Sequence, residues 1–353
     1  MSSGHLRVVA PGLLTTVQDL GRPGYQRLGV PPSGALDPVA LRAANLLVGN
    51  PTTTASLEMA RAGVTLAVEA DSVRVALAGA VAEIDAPAGD TYPRLNALES
   101  ARLHRGQRLR ITLSGSAVAY LAVEGGFALP EVMGSLSTLT RAAIGGFAGR
   151  ALRAGDLLPL RHRAAAEREE LVLPMLPLLR APPPQQAVRI RIVLGPQDDH
   201  FSAAGLQTLL SATYTITQAS DRMGMRLAGP VLEHAQGYDI VSDGIATGAI
   251  QVPGDGLPIV LLADRQTTGG YPKIATVISA DIPVLGRLSP GAEVAFTAVT
   301  VAAAEAAARR LSRDLAAMRG RPVAPGTPVL DAAMLMGENL VSGMIDAREG
   351  GEN

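Results

Sequence analysis

Apolar and polar residues alternate along much of the chain with the two-residue period of β-strands. In the first half the alternation runs through VTLAVEA (64–70), SVRVALAGA (72–80), QRLRITLSG (107–115) and SAVAYLAVEGG (116–126). In the second half it returns in VRIRIVL (188–194), TYTITQ (213–218) and AEVAFTAVTV (292–301). Glycine and serine interrupt these segments, as in turns between antiparallel strands. The pattern predicts a mainly β protein.

Helical signals are few and local. Asp37 is a good N-cap, Pro38 suits the first helical position, and Gly49 can end the helix in a left-handed turn. A short helix is predicted after Phe201, and an alanine-rich helix is predicted over Val301 to Arg319. We therefore expect a few short helices and a C-terminal helical tail.

A charged and then proline-rich segment, Arg161 to Ala187, divides the chain. Proline is excluded from helix interiors and central strands, so this segment predicts a boundary. The spacing Leu-x-x-Gly-x-x-aliphatic occurs in both halves, at 103–109, 152–158 and 288–294. It indicates either one turn-into-strand device used in two similar barrels or a coincidence in a chain rich in these residues. The predicted division is a first domain at 1–170, a linker at 171–187, a second domain at 188–300, and a helix and tail at 301–353.

Composition narrows the range of functions. The length of 353 residues allows two domains, and the chain is 47% apolar but only 3% aromatic. The formal net charge of −1 lacks the basic excess of a nucleic-acid binder. The absence of cysteine excludes disulfides and thiolate metal sites and fits a cytoplasmic protein. No apolar run is long enough to cross a membrane.

Common cofactor motifs are missing. The chain contains neither a phosphate-binding G-x-x-x-x-G-K-[ST] loop nor a G-x-G-x-x-G dinucleotide fingerprint. Its five histidines are scattered, with no pair at helical metal-ligand spacing, so no metal site is predicted. No lysine has the flanks of a biotin acceptor, so biotin is not expected to be covalently attached.

The most informative stretch runs from Ser242 to Ala275. An apolar run, Leu257 to Ala263, predicts a buried strand, and a cluster of polar residues and glycines follows it up to Lys273. Polar side chains beside glycines at a strand end can bind a small polar substrate. A solvated hairpin loop rich in turn formers is the competing interpretation.

Lys273 is the one lysine among 31 basic residues. A lysine retained in a chain that otherwise uses arginine indicates a need for a compact amine, which can lose a proton or hold a developing negative charge. The alternative is a single surface lysine left by drift.

Long segments resemble a known family, called allophanate hydrolase subunit 2 or biotin-dependent carboxyltransferase-like. The resemblance rests on LTTVQDLGRPGYQRLGVPPSGALDPVALRAANLLVGN (14–50) and TASLEMA (54–60) in the first half. In the second half it rests on GPQDDHF (195–201), SDRMGMRLAGP (220–230), SDGIATGAIQVPGDGLPI (242–259) and DRQTTGGYPKIATVI (264–278). It covers about Arg7 to Val299.

The resemblance implies two cyclophilin-like β-barrel domains. It also implies membership of an ATP-dependent 5-oxoprolinase complex, which opens the lactam of 5-oxoproline to glutamate. The implied partners are the KipI-like B subunit of 5-oxoprolinase and its LamB/YcsF-like A subunit, with ATP bound by this chain or by a partner. The family alternatives are a carboxyltransferase subunit of a urea carboxylase/allophanate hydrolase-type system and a KipA-like regulatory subunit without catalytic activity.

We assign candidate roles on this basis. Lys273 and Arg222 are expected to stabilise anions, and Asp264 and Asp221 to position a proton or water. The expected substrate-binding residues are Gln251, Gln266, Thr267, Thr268, Tyr271, Asp19, Arg22, Ser33 and Asn45. For Asn45, a helix-edge position facing water is an equal alternative. Asp37 is interpreted as a helix cap.

Overall fold

The computed structural model of the protein describes residues 4–85, 94–182 and 186–327. Within these residues strands dominate, as the alternation predicts. The strands of the first half are β1 (His5–Ala10), β2 (Leu14–Gln18), β3 (Ser56–Ala60), β4 (Thr65–Val68), β5 (Ser72–Ala78), β6 (Ala80–Asp85), β7 (Ser100–His104), β8 (Arg108–Leu113), β9 (Val118–Val123) and β10 (Leu157–Pro159).

These strands form two five-stranded antiparallel sheets, in the orders β10-β1-β4-β8-β6 and β2-β3-β9-β5-β7. The sheets face each other across one core, to which Leu6 and Leu109 contribute from the first sheet and Leu57 and Leu121 from the second. In β8 buried and exposed residues alternate, because only one face of its sheet meets this core.

The first half differs from the closed barrel expected for residues 1–170. Among the described residues its hydrogen-bonded ladders end at β6, β10, β2 and β7 and do not join into a ring. The physical reason is that the chain passes from one sheet to the other at Gly79, whose φ is +76°, and the sheets then associate through side chains.

The second sheet is covered on its other face by helix α1 (Pro38–Leu47). The Asp37 carboxylate accepts hydrogen bonds from two first-turn N–H groups at 3.0 and 3.1 Å, and Gly49 follows with φ +71°. The predicted caps are therefore confirmed. Burial under α1 explains why β5 and β9 are buried at every position.

The second half contains nine strands and three helices of at least six residues among its described residues. The strands are β11 (Val188–Leu194), β12 (Thr213–Ile216), β13 (Gly224–Ala228), β14 (Asp243–Gly244), β15 (Ala249–Gln251), β16 (Ile259–Leu261), β17 (Thr268–Gly269), β18 (Lys273–Val277) and β19 (Glu293–Ala298). The helices are α2 (Ala203–Ser211), α3 (Ile282–Arg287) and α4 (Val301–Met318).

Seven of these strands close into a barrel in the order β11-β18-β15-β16-β13-β12-β19. Ile190, Tyr214 and Phe296 lie in its core. The strand predicted over Leu257 to Ala263 is confirmed only as the three-residue β16. It is short because Pro258 has no N–H for the ladder.

The segment predicted as a linker packs against the first half where it is described. Leu173 is 1% exposed, and its N–H donates to the carbonyl of Leu98 at 2.8 Å. Val172 exchanges backbone hydrogen bonds with Val323, which follows α4. The C-terminal helix is thereby tied back to the first half, and the division into domains stays a prediction.

Helix α4 confirms the predicted C-terminal helix. Leu315 and Met318 from its apolar stripe pack in the same cluster as α1. The predicted tail beyond residue 327 lies outside the described residues. Over the parts of the chain that the structure describes, no helix combines the length and the apolar character that crossing a membrane requires.

Candidate functional site

Lys273 begins β18 and is only 2% exposed. Its Nζ donates a 2.9 Å hydrogen bond to Oδ2 of Asp243, whose side chain is 54% exposed. A buried ammonium is costly unless it is paired. The lysine therefore places a positive charge just inside the barrel end, with a solvent-accessible carboxylate over it.

Gln251 faces Lys273 from the neighbouring strand β15, where the two residues are cross-strand partners. Gln251 is 2% exposed; its Nε2 donates to the carbonyl of Tyr271 at 3.3 Å and its Oε1 accepts from Gln266 at 3.4 Å. Gly269 permits this packing, since a Cβ there would lie 2.7 Å from Gln251 Nε2. The barrel end thus brings together four predicted site residues.

A short two-stranded sheet of β14 and β17 lies beside this barrel end. Asp243 pairs with Gly269 across this sheet, and the N–H of Ile245 donates to the carbonyl of Thr267 at 3.0 Å. Thr268 belongs to β17 and is exposed. The β14–β17 sheet and its flanking residues therefore carry two further predicted residues and hold Asp243 against the ammonium.

Gln197 completes the group around Lys273. Its Oε1 accepts the N–H of Lys273 at 3.1 Å, and its Nε2 lies 3.4 Å from Oδ2 of Asp243. The hydrogen bond from Lys273, followed by that from the N–H of Gly244, lowers the pKa of Asp243. Gln197 and Asp243 were not predicted as site residues. Both lie in polar turns at strand ends, and this position was the sequence feature that could have indicated them as site residues.

Arg265 supports the β14–β17 sheet from inside. Its Nε donates to the carbonyl of Ile245 at 3.1 Å, and Gln26 of the first half donates to the same carbonyl at 3.3 Å. Arg265 is 2% exposed, and burial lowers its pKa to about 10. Both halves of the chain therefore contribute to holding the β14–β17 sheet that carries Asp243.

Arg222 and Asp264 lie in a separate cluster where the two halves meet. Arg222 donates to both carboxylate oxygens of Asp264, from Nε at 2.7 Å and from Nη2 at 3.1 Å. Its Nη2 also donates to the carbonyl of Gly34 at 2.7 Å, and its Nη1 donates to Glu58. Burial by itself lowers the pKa of Arg222, but Glu58 and Asp264 outweigh it and raise the pKa. Both oxygens of Asp264 are bonded to this guanidinium, and the bonds from Arg222 to Glu58 and Gly34 join the second half to the first.

The cluster extends through Tyr120. Its hydroxyl donates to Glu58 at 2.5 Å and accepts the N–H of Asp37 at 2.9 Å. Burial, together with the charges of Glu58 and Asp37, raises the pKa of Tyr120. Arg287 adds a 2.6 Å ion pair to the helix cap Asp37. Glu58 was not predicted, although a lone acidic residue inside the apolar strand SLEMA was a signal for it.

Three other predicted site residues form side-chain hydrogen bonds within their own half of the chain. Asp221 accepts two N–H groups of its own turn at 2.8 and 3.2 Å. Asp19 accepts hydrogen bonds from residues 135–137. Asn45 is fully buried, and its amide donates to two carbonyls of the first half at 3.1 and 2.8 Å. None of the three has a hydrogen bond to the group around Lys273.

Arg22 and Ser33 are also buried, at 1% and 7% exposure. Arg22 Nη1 and Ser33 Oγ have no hydrogen-bond partner among the described residues. Burial lowers the pKa of Arg22, while Asp19 and Asp264 act in the opposite direction. The N–H of Ser33 donates to the carbonyl next to Asp264, so Ser33 lies where the halves meet. The Arg22 side chain donates to the carbonyls of Val132 and Ser137 in the first half.

The Asp243 carboxyl is expected to titrate below the ordinary value of 3.8, and substitution Lys273→Met is expected to raise its pKa. A lowered folded-state pKa gives stability that is present above the unfolded-state pKa and is lost as pH falls through the folded-state value. Carboxyl ¹³C NMR of both proteins measures the shift. Equal pKa values in the two would contradict the Lys273–Asp243 contact.

The fold and the barrel end define a class: a mainly β protein with a buried lysine and amide side chains at the end of a closed barrel. The family described as "Carboxyltransferase domain, subdomain A and B" matches residues 28–298. The chain belongs to this family, as the motifs in both halves had indicated.

Relatives of two kinds are found. The chain is 37% identical over 293 residues to the C subunit of 5-oxoprolinase from Escherichia coli, covering 82% of this chain and 90% of that protein. It is 30% identical over 311 residues to urea amidolyase of Saccharomyces cerevisiae, covering 82% of this chain and 16% of that protein. The crystal structure of Kluyveromyces lactis urea carboxylase matches with a TM-score of 0.80 and 25% identity. The match covers 94% of this chain but only 30% of that one.

Proposed function

We propose that this chain is part of an ATP-dependent 5-oxoprolinase, which hydrolyses the lactam of 5-oxoproline to glutamate with a second cyclophilin-like subunit. Similarity to the C subunit of 5-oxoprolinase over most of that protein's length supports the proposal. The observation that carries it is the buried ammonium of Lys273 on β18, paired in register with the buried Gln251 on β15. An ammonium next to amide groups suits a polar amide substrate that becomes anionic during reaction.

A lactam is an unreactive amide, so its carbonyl oxygen must first become part of a better leaving group. Transfer of the γ-phosphoryl group of ATP to that oxygen forms a phosphorylated intermediate and ADP. Water then adds to the carbon, the C–N bond breaks as the nitrogen takes a proton, and phosphate leaves. Each step develops negative charge on oxygen, which a fixed ammonium stabilises.

The residues around Lys273 fit these needs by their chemistry. The Lys273 ammonium faces the developing oxyanion or the phosphate, and Gln251 and Gln266 offer the donor and acceptor that a lactam requires. Asp243 replaces Asp264 as the carboxylate for water or proton positioning, because Asp264 is bonded to Arg222 through both oxygens. The absence of a phosphate-binding loop from the sequence favours ATP held largely by the partner.

The second subunit is proposed to cover this barrel end. Val241, Tyr238 and Tyr271 are 92%, 51% and 41% exposed, and in the chain they flank β14 and β17, the strands of the sheet that holds Asp243. The N–H of Ile240 donates to the carbonyl of Gly270 at 2.8 Å, which keeps Val241 beside Tyr271. Exposed apolar side chains that cluster at a site mark interaction surfaces. We assign this surface to the KipI-like B subunit, with the LamB/YcsF-like A subunit as the third component.

A carboxyltransferase function is the second candidate, favoured by the structural match to urea carboxylase. In that reaction a carboxyl group from carboxybiotin, brought by another protein, would pass to an amide nitrogen. The same ammonium would hold the carboxylate. A KipA-like regulatory role would use the apolar surface without the ammonium.

The test uses the chain purified together with its partner subunits. The assembled complex is expected to release glutamate and phosphate in equal amounts from 5-oxoproline and ATP. Val241→Asp is expected to prevent assembly, because it places a charge in the apolar contact, while Val301→Asp at an exposed position of α4 leaves assembly intact. An assembled complex without 5-oxoproline-dependent phosphate release refutes the proposal, and turnover of urea with carboxybiotin instead supports the second candidate.

A further inference from the structure

A cavity of about 270 Å³ lies between the two halves of the chain, apart from the group around Lys273. Its walls come from the starts of β2 and β9 and the end of β3 on one side, and from β12, β13 and α3 on the other. Beside it the halves touch tightly: a Cβ on Gly286 would lie 2.5 Å from the carbonyl oxygen of Leu36. The cavity is therefore an unfilled space within an interface where the two halves are otherwise closely packed.

The walls of the cavity are almost entirely apolar. Leu14, Val118, Ile216, Met225 and Leu262 are among the residues that line it. Its volume corresponds to roughly nine waters at ~30 Å³ each. These waters would find few hydrogen-bond partners on such walls, so an apolar group that displaces them gains free energy.

The polar residues that line the cavity are Arg61, Ser220, Asp221 and the buried Arg222, and they carry charges of both signs. Arg61 donates from Nη2 to the carbonyls of Gln218 and Ser220 at 3.1 and 2.6 Å, and its Nε and Nη1 have no hydrogen bond to described residues. The Ser220 carbonyl belongs to the peptide bond with Asp221, whose Oδ1 accepts the N–H groups of its turn while Oδ2 remains available. Arg61 also has φ +63°, a strained conformation for a non-glycine residue that is often kept for a functional reason.

We propose that this cavity binds an apolar α-amino acid. The side chain of the ligand fills the apolar interior, its ammonium faces Asp221, and its carboxylate faces Arg61. Arg61 is bonded to the carbonyl of the residue before Asp221, so a guanidinium and a carboxylate are both available to the two charges of an amino-acid head group, and the apolar walls exclude polar side chains. This second site is independent of the proposed activity at Lys273.

The test is calorimetric titration of the purified full-length chain with L-leucine, repeated on the complex with its partner subunits. Saturable binding with Kd about 1 mM or tighter is expected. L-Serine, 4-methylpentanoate and 3-methylbutylamine, which lack the apolar side chain, the ammonium and the carboxylate respectively, are expected to bind at least about fivefold more weakly.

Two variants locate the site. Ala60→Leu fills the cavity and is expected to abolish binding, whereas Ala204→Leu, on the exposed face of α2, is not. Asp221→Asn keeps an oxygen that accepts the N–H groups of the turn but removes the charge, so leucine should bind about fivefold more weakly. Asp255→Asn, in another exposed turn, is the matched control.

Absence of leucine binding overturns the proposal. Equal binding of leucine and either analogue that lacks a head-group charge also overturns it, since the apolar walls would then act alone. Unchanged leucine affinity in Asp221→Asn also overturns the proposal. This variant still tests the site if Ala60→Leu fails to fold.

Discussion

Lys273→Met is expected to reduce glutamate release by the assembled complex by about two to three orders of magnitude. Methionine fills nearly the same space without a charge, so the oxyanion or phosphate loses its cation while the barrel end stays packed. The loss should appear mainly in kcat, because an interaction that strengthens as charge develops favours the transition state over the bound substrate.

The control for this prediction is Arg189→Met, which removes a cation from an exposed position of β11 in the same barrel. Its turnover should equal that of the unmodified complex. Co-purification with the partner subunits separates loss of chemistry from loss of assembly. Normal turnover by an assembled Lys273→Met complex would show that the ammonium has no catalytic role.

Arg222→Met is expected to lower the free energy of unfolding by about 3–5 kcal/mol. The substitution leaves Glu58 and Asp264 buried and close together without the guanidinium that neutralises them. It also removes the bond from Arg222 to the carbonyl of Gly34, which joins the second half to the first. Urea-induced unfolding of the full-length chain measures the change.

Arg226→Met is the matched control, because Arg226 is exposed on the neighbouring strand β13. It should change the free energy of unfolding by less than about 0.5 kcal/mol. Adding Glu58→Gln to Arg222→Met should restore part of the lost stability, since one of the two unpaired charges disappears. An Arg222→Met protein as stable as Arg226→Met would show that the cluster does not hold the halves together.

The prediction of β-structure succeeds where burial follows a simple period. In β8 the pattern RLRITL alternates because one face meets the core, and the structure buries Leu109 and Ile111 as the period requires. The N-cap at Asp37 is equally local, since the N–H groups that it accepts lie two and three residues away. Among the described residues the first half does not form the closed barrel that was expected, because closure depends on which strand edges meet, and no periodicity in the sequence records that.

The candidate site was predicted only in part. Lys273 and Gln251 stood out because one apolar strand and its flanking polar turn lie close together in the chain. The roles assigned to Arg222 and Asp264 stay predictions; in the structure these residues bond to each other, and Arg222 also bonds to Glu58. The Arg222–Glu58 pair spans 164 residues, so neither partner could be read from the surroundings of the other.

Local interactions in the chain therefore specified the strands, the helix caps and the polar stretch that ends in Lys273, because each depends on residues a few positions apart. The partner of each charge became known only when the chain was folded. Asp243 meets Lys273 through the pairing of β14 with β17, and Glu58 meets Arg222 across the contact between the halves. A charge buried on folding needs a neutralising partner in space, and closeness in space between distant residues is a property of the packed structure.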